Sequence, residues 1–190
     1  MKALEQKILR EGTVLEGDVL KVGSFLNQQI DTGFLLEMAD EVCRIYAGEM
    51  ITKILTIEAS GIALAVAVAA KMNCKTVFAK KNKTSNVSGE VFSAKVHSYT
   101  HGADFLISVP EDYLRADDKV LIIDDFLANG AALTGLIDIV NQAGARVVGC
   151  TCAIEKGYQG GGDRLRKAGY RIESLAVIEK MSPGNIEFRE

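Results

Sequence analysis

The chain has 190 residues, 48% of them hydrophobic and 25% charged, with only 2 prolines, which excludes a disordered polypeptide and suits one compact domain over residues 1–190. Lys and Arg total 22 against 25 Asp and Glu; the resulting net charge of −3 argues against a general nucleic-acid binder. The longest uncharged apolar run, residues 62–70, is too short for a bilayer, and the charged start MKALEQKILREG lacks a signal-peptide core, so the expectation is a soluble cytoplasmic protein with no membrane or nucleic-acid partner.

Residues 2–10 predict a short amphipathic helix, and 15–27 a less regular segment containing Gly17 and Gly23. Apolar residues at Leu35, Met38, Val42 and Tyr46 form a helical stripe over 32–47, with Gly48 as its stop. A strand is expected at 51–57, an Ala/Val-rich helix from Gly61 to about Met72, and a short strand at 75–79. KKNKTSNVSG, residues 80–89, reads as an exposed polar loop. Residues 90–99 alternate, with Val91, Ser93, Lys95, His97 and Tyr99 on one face, and pair with a strand at 105–109. A fully apolar central strand at 120–123 follows, then a helix over 131–142 stopped by Gly144. The remainder predicts a strand at 146–154, a short helix around 164–167 and a last strand at 170–178. This alternation means α/β with a mainly parallel sheet. Cys43, Cys74, Cys150 and Cys152 form no Cys-x-x-Cys and lie far in sequence from His97 and His101, so they read as neutral thiols rather than a zinc site.

The most informative stretch is VLIIDDFLANGAALTG, residues 120–135. An apolar strand leads into Asp124 and Asp125, then a small-residue loop (Ala128, Asn129, Gly130, Ala131, Ala132) opens the next helix. Ligands of open parallel sheets sit beyond the carboxyl ends of strands, and free N–H groups at a helix start suit a phosphate. Two adjacent carboxylates repel, so sugar hydroxyls or a metal would offset them; the plain alternative is a solvated Asp pair in a strand–turn–helix. No G-x-G-x-x-G or G-x-x-x-x-G-K-[ST] is present, which leaves dinucleotide and P-loop readings unsupported.

Residues 120–132 resemble the ribose-5-phosphate motif of the type I phosphoribosyltransferases, and the likeness covers most of the chain. Residues 20–31 (LKVGSFLNQQID), 57–63 (IEASGIA), 124–130 (DDFLANG) and 154–156 (IEK) are similar to the bacterial branch acting on xanthine. Phe126 is bulkier than the superfamily pattern and Asn129 stands where Thr or Ser is commoner; the xanthine branch shares both. Ala128 stands where hypoxanthine-guanine enzymes carry an Asp, so no general base comes from that loop.

The resemblance implies the type I fold, a mainly parallel central sheet flanked by helices, with a flexible hood hairpin and a small base-binding lobe from about residues 1–30. It implies transfer of phosphoribosyl from 5-phosphoribosyl 1-pyrophosphate (PRPP) to xanthine, and a homodimer. Asp124 and Asp125 would be the catalytic acids and 128–132 the PRPP 5-phosphate loop. Ala59, Ser60, Lys80 and Lys81 would bind pyrophosphate, and the 98–99 region would belong to the hood. Leu20, Asn27 and Lys156 would bind the base, Lys156 donating to a 6-oxo group. Magnesium would arrive on the substrate, with no direct protein ligand. Without the resemblance, Ser60 is an ordinary helix cap, the lysines a solvated loop, Lys156 a surface residue, Leu20 core and Asn27 a turn residue. The rivals are transfer to adenine, which Lys156 opposes, or to hypoxanthine and guanine, which Ala128 opposes, and a PRPP-binding regulator without chemistry.

Overall fold

A computed structural model of the chain describes residues 1–81, 90–98 and 103–189. The helices form where apolar spacing and end signals agree. In α1 (Lys2–Glu11), Leu4 and Ile8 face inward. In α2 (Thr32–Ile45), Leu35, Met38, Ala39 and Val42 are buried, and the Asp31 carboxylate caps the start by accepting from the Phe34 N–H at 3.1 Å. α3 (Gly61–Met72) ends at Asn73 in the left-handed region, and α4 (Ala131–Gln142) begins at Gly130, also left-handed with φ +81°. α5 (Gly161–Lys167) is a short helix near the carboxyl end.

The first strands, β1 (Thr13–Leu15) and β2 (Val19–Lys21), make a small antiparallel hairpin, and a turn of π-helix follows at Gly23–Asn27. The segment expected to be irregular is therefore ordered. The other eight strands are β3 (Lys53–Ile57), β4 (Lys75–Lys81), β5 (Val91–Ser98), β6 (Ala103–Pro110), β7 (Lys119–Leu127), β8 (Arg146–Lys156), β9 (Ile172–Ser182) and β10 (Asn185–Phe188). They form one sheet in the order β10-β9-β8-β7-β3-β4-β6-β5. The five strands from β9 to β4 run parallel; β10 at one edge and the β5–β6 hairpin at the other are antiparallel additions.

The central strands are apolar on both faces because both are covered. Leu121 and Ile123 pack into a cluster with α1, α2 and α3, while Val120 and Ile122 pack into a second cluster with α4 and the hairpin residues Ala94, Val96 and Ile107. Gly135 of α4 meets that hairpin closely, since a Cβ there would fall 2.7 Å from Val96.

Several boundaries differ from expectation. β7 continues through Asp124 and Asp125 to Leu127, because pairing with β8 persists as far as Leu127 opposite Glu155. Lys80 and Lys81 are not loop residues but the end of β4, paired with Ser108 and Ile107 of β6. β8 runs to Lys156, α5 starts three residues early on glycines, and β10 carried no sequence signal. Tyr99, His101 and Lys83 lie outside the described residues. Among the described residues, no helix is long and apolar enough to cross a membrane.

Candidate active site

β7 delivers both carboxylates to the carboxyl end of the sheet, beside β3 and β8. Asp124 and Asp125 are 5% and 8% exposed, and Asp124 Oδ1 accepts the Asp125 N–H at 2.9 Å. Burial, then the Asp125 charge, hold the Asp124 carboxyl well above the usual carboxylate range, with the Lys81 ammonium pulling the other way. Cys152 faces Asp124 across the β7–β8 ladder, its thiol pushed up by burial; all four cysteines are free.

The chain then turns through residues 128–132 into α4. Gly130 supplies the positive φ that releases the strand into the helix. Asn129 Oδ1 accepts the Ala131 N–H at 3.0 Å, and the Thr134 N–H and hydroxyl both reach the Gly130 carbonyl at 2.9 Å. The loop presents backbone rather than side-chain bulk, the condition for holding an anion at a helix start.

A second turn, 58–60, joins β3 to α3. The Glu58–Ala59 peptide is cis. The Glu58 N–H donates to the Ala79 carbonyl at 3.1 Å, and its carboxylate accepts the Lys81 N–H at 2.5 Å, which ties this turn to the end of β4. Ser60 makes no side-chain cap bond, so the plain helix-cap reading does not account for it. Gly61 faces the acid pair: any Cβ there would collide with Thr56 Oγ1 and stand 3.1 Å from Asp124 Oδ1. Thr56 is fully buried and its hydroxyl has no hydrogen-bond partner among the described residues.

The two candidate lysines diverge, as consecutive strand residues must. Lys81 is the cation acting on Asp124, its ammonium 5.4 Å from the Phe105 ring. Lys80 lines a cleft of about 1040 Å³ between β4 and the segment after β6, together with Lys53, Phe78, Tyr113 and Arg115. That cleft contains neither aspartate and none of residues 128–132.

Lys156 ends β8. Its ammonium donates to the Asp18 carbonyl at 2.5 Å, and half-burial lowers its pKa. Asp18 is a non-glycine residue at φ +62°, next to Gly17 at +76°, in the turn of the β1–β2 hairpin. The hairpin thus arches over Lys156, and the residues expected in a base lobe come with it: Leu20 is buried in β2, whereas Asn27 is exposed at the end of the π-turn. The Asp18 charge also reaches Tyr158, whose hydroxyl pKa is raised chiefly by burial.

Sequence reasoning missed α5 as part of this region. Arg166 grips the buried Glu155 carboxylate with two guanidinium nitrogens at 2.9 and 2.7 Å, and the Ser174 hydroxyl donates to the same group at 2.6 Å. The run Gly160–Gly161–Gly162 was the available signal. Side chains at Gly161 and Gly162 would collide with the Ala128 carbonyl and with Glu155. The β5–β6 hairpin stands where a hood was expected, with the Asp104 carboxylate 2.6 Å from His97 Nδ1 and paired to Lys95; its tip is outside the described residues. Among the described residues, no three His, Cys, Asp or Glu side chains converge as a metal site. Asp124 and Asp125 are the adjacent acid pair that a cation carried in by a substrate would face.

Residues 35–179 match the family model "Phosphoribosyl transferase domain". The "Xanthine phosphoribosyltransferase" of Lachnoclostridium phytofermentans is 48% identical over 100% of this chain and 98% of that protein. The protein of the same name from Bifidobacterium longum subsp. infantis is 50% identical over 100% of both. Among solved structures, the adenine phosphoribosyl transferase of Trypanosoma brucei, crystallised with AMP, pyrophosphate and ribose-5-phosphate, superposes with a TM-score of 0.77 over 92% of this chain and 78% of that one, at 18% identity. At 18% identity this likeness shows the fold.

Proposed function

This chain belongs to the phosphoribosyl transferase family, and we propose that it transfers the phosphoribosyl group of PRPP to xanthine, giving xanthosine 5′-monophosphate (XMP) and pyrophosphate in purine salvage. The observation that carries the reading is the buried Asp124–Asp125 pair running directly into the left-handed Gly130 loop at the head of α4. The 128–132 loop holds the 5-phosphate through backbone N–H groups. Asp124 and Asp125 accept from the ribose diol and fix the ring over the sheet end. The 59–60 turn with Lys81 receives the pyrophosphate; Lys80, at the end of the same strand, is the weaker candidate because it lines the separate cleft. Lys156 donates to the 6-oxo group, while Leu20 and Asn27 on the N-terminal lobe flank the base.

The C1–O bond to pyrophosphate breaks as the bond from C1 to the base nitrogen forms. Pyrophosphate leaves with the electron pair, and the N–H proton of the base passes to solvent water. Xanthine is already acidic, which suits a loop with Ala128 and no carboxylate at that place. Catalysis here is chiefly positioning and electrostatic stabilisation of a cation-like sugar carbon. Asp124 and Asp125 would face the magnesium that accompanies PRPP, and that ion would supply neutralisation of leaving-group charge. One domain over 1–190 carries the site, with residues 1–30 over the base, in a cytoplasmic homodimer.

The test is incubation with PRPP, magnesium and each of xanthine, guanine, hypoxanthine and adenine, following pyrophosphate release. The highest kcat/KM is expected for xanthine. Preference for another base removes the specificity reading, and PRPP binding without turnover on any base replaces the enzyme with a regulator.

A further inference from the structure

Behind the 128–132 loop stands α5, and the two meet backbone to backbone. A Cβ on Gly161 would collide with the Ala128 carbonyl and fall 2.5 Å from Gly130 N, so only glycine allows this approach. One turn along, Arg164 Nη2 donates to the Asn129 carbonyl at 2.6 Å. α5 is itself fixed to the sheet. Arg166 pairs with the buried Glu155 of β8, and Asp163 accepts from Arg189 Nη1 at 3.1 Å beyond β10. The Asn129–Gly130 peptide is planar and trans, so a guanidinium that holds its carbonyl also aims the Gly130 N–H to the opposite side, away from α5.

We propose that Arg164 is a positioning residue for the 5-phosphate of PRPP, acting through the Asn129 carbonyl to hold the loop's N–H groups in their receiving orientation. This rests on the reading of 128–132 as the phosphate loop. Arg164 is exposed, so its loss leaves the core intact. The bond it makes is charge-assisted and short, and nothing else described reaches the Asn129 carbonyl.

The test compares wild type, Arg164→Ala, Arg164→Lys and Gly130→Val, measuring Kd for ribose 5-phosphate and for pyrophosphate together with KM for PRPP and for xanthine. Arg164→Ala should weaken ribose 5-phosphate and raise KM for PRPP by about 5- to 20-fold, a size expected for one charge-assisted hydrogen bond at an exposed site. Pyrophosphate binding and KM for xanthine should stay within about twofold, and Arg164→Lys, which keeps a cationic donor, should recover much of the loss. Unchanged ribose 5-phosphate binding in Arg164→Ala, or an equal loss for pyrophosphate, overturns the proposal. If Gly130→Val weakens ribose 5-phosphate and Arg164→Ala does not, only the role of Arg164 falls. If neither variant weakens it, the loop reading falls as well.

Discussion

Asp124 sits where a carboxylate is costly, sealed by β3, β8 and α3 with a second acid beside it. Because its folded pKa is raised, the folded protein binds more protons here than the unfolded chain, and stability falls as pH rises. The contribution is fully present below the ordinary carboxylate pKa and is lost as pH climbs through the folded value. Asp124→Asn keeps the oxygen that accepts the Asp125 N–H but removes the charge. Its Tm should therefore exceed wild type at pH 8, with the gap closing toward pH 4; a gap independent of pH contradicts the burial account. Asp125→Asn addresses chemistry instead. If the pair orients the ribose, turnover should drop at least about 100-fold, or about 2.7 kcal/mol of transition-state stabilisation. Steady-state rates beside a matched melting curve decide it. At Lys156, removal of the donor by Lys156→Ala should lower kcat/KM for xanthine by about 10- to 150-fold with KM for PRPP unchanged. Unaltered xanthine kinetics would return Lys156 to the surface.

Two strand–turn–helix elements, β3–α3 and β7–α4, frame the candidate site, and each depends on a glycine for a different reason. Gly130 needs its positive φ and has Gly161 Cα only 3.4 Å from where its Cβ would lie. Gly130→Val should weaken PRPP by much more than it weakens the base, as titration calorimetry with each ligand would read. Gly61 has no such dihedral; it is required by space. Gly61→Ala would push against Thr56 and Asp124 at once, so turnover should fall together with Tm, and pairing it with Thr56→Ala should recover part of both. At this scale the β7–α4 motif was legible, because apolar run, acid pair and small-residue loop all bear on one local geometry. The end of β4 was not. Lys80 and Lys81 look like loop because strands are recognised by apolar alternation, whereas these residues extend a strand by pairing with β6, a contact remote in sequence.

Across the whole molecule, the parallel core of the sheet could be read from alternating elements, and the helix over 131–142 was placed to the residue. Additions at both edges were harder. β10 is short, half-polar and paired with β9, and the β1–β2 hairpin carries three-residue strands whose turn uses Asp18 in a left-handed conformation. Side chains paired across the fold left no sequence signal either. Glu155 reads as an ordinary charged residue at a strand end, yet it is 1% exposed and met by Arg166 and Ser174 from two other elements. Arg166→Leu would strand that carboxylate. Since Arg166 keeps about a third of its exposure, the loss should be about 2–3 kcal/mol, below the roughly 3–5 of a fully sealed pair, read as a shift in the urea midpoint. A shift near zero would mean that water reaches Glu155 unaided.

The contact between Lys156 and the Asp18 carbonyl changes what base selection has to accomplish. An ammonium has three N–H donors, and the Asp18 carbonyl takes one of them. If Lys156 reads the base, a purine oxygen adds a second acceptor to the ammonium and need not displace the first. A 6-oxo group can accept from one of the remaining N–H donors; a 6-amino group cannot. Rejection of the wrong base on this reading needs no clash: the β1–β2 hairpin fixes the ammonium, and an amino group meets it donor to donor.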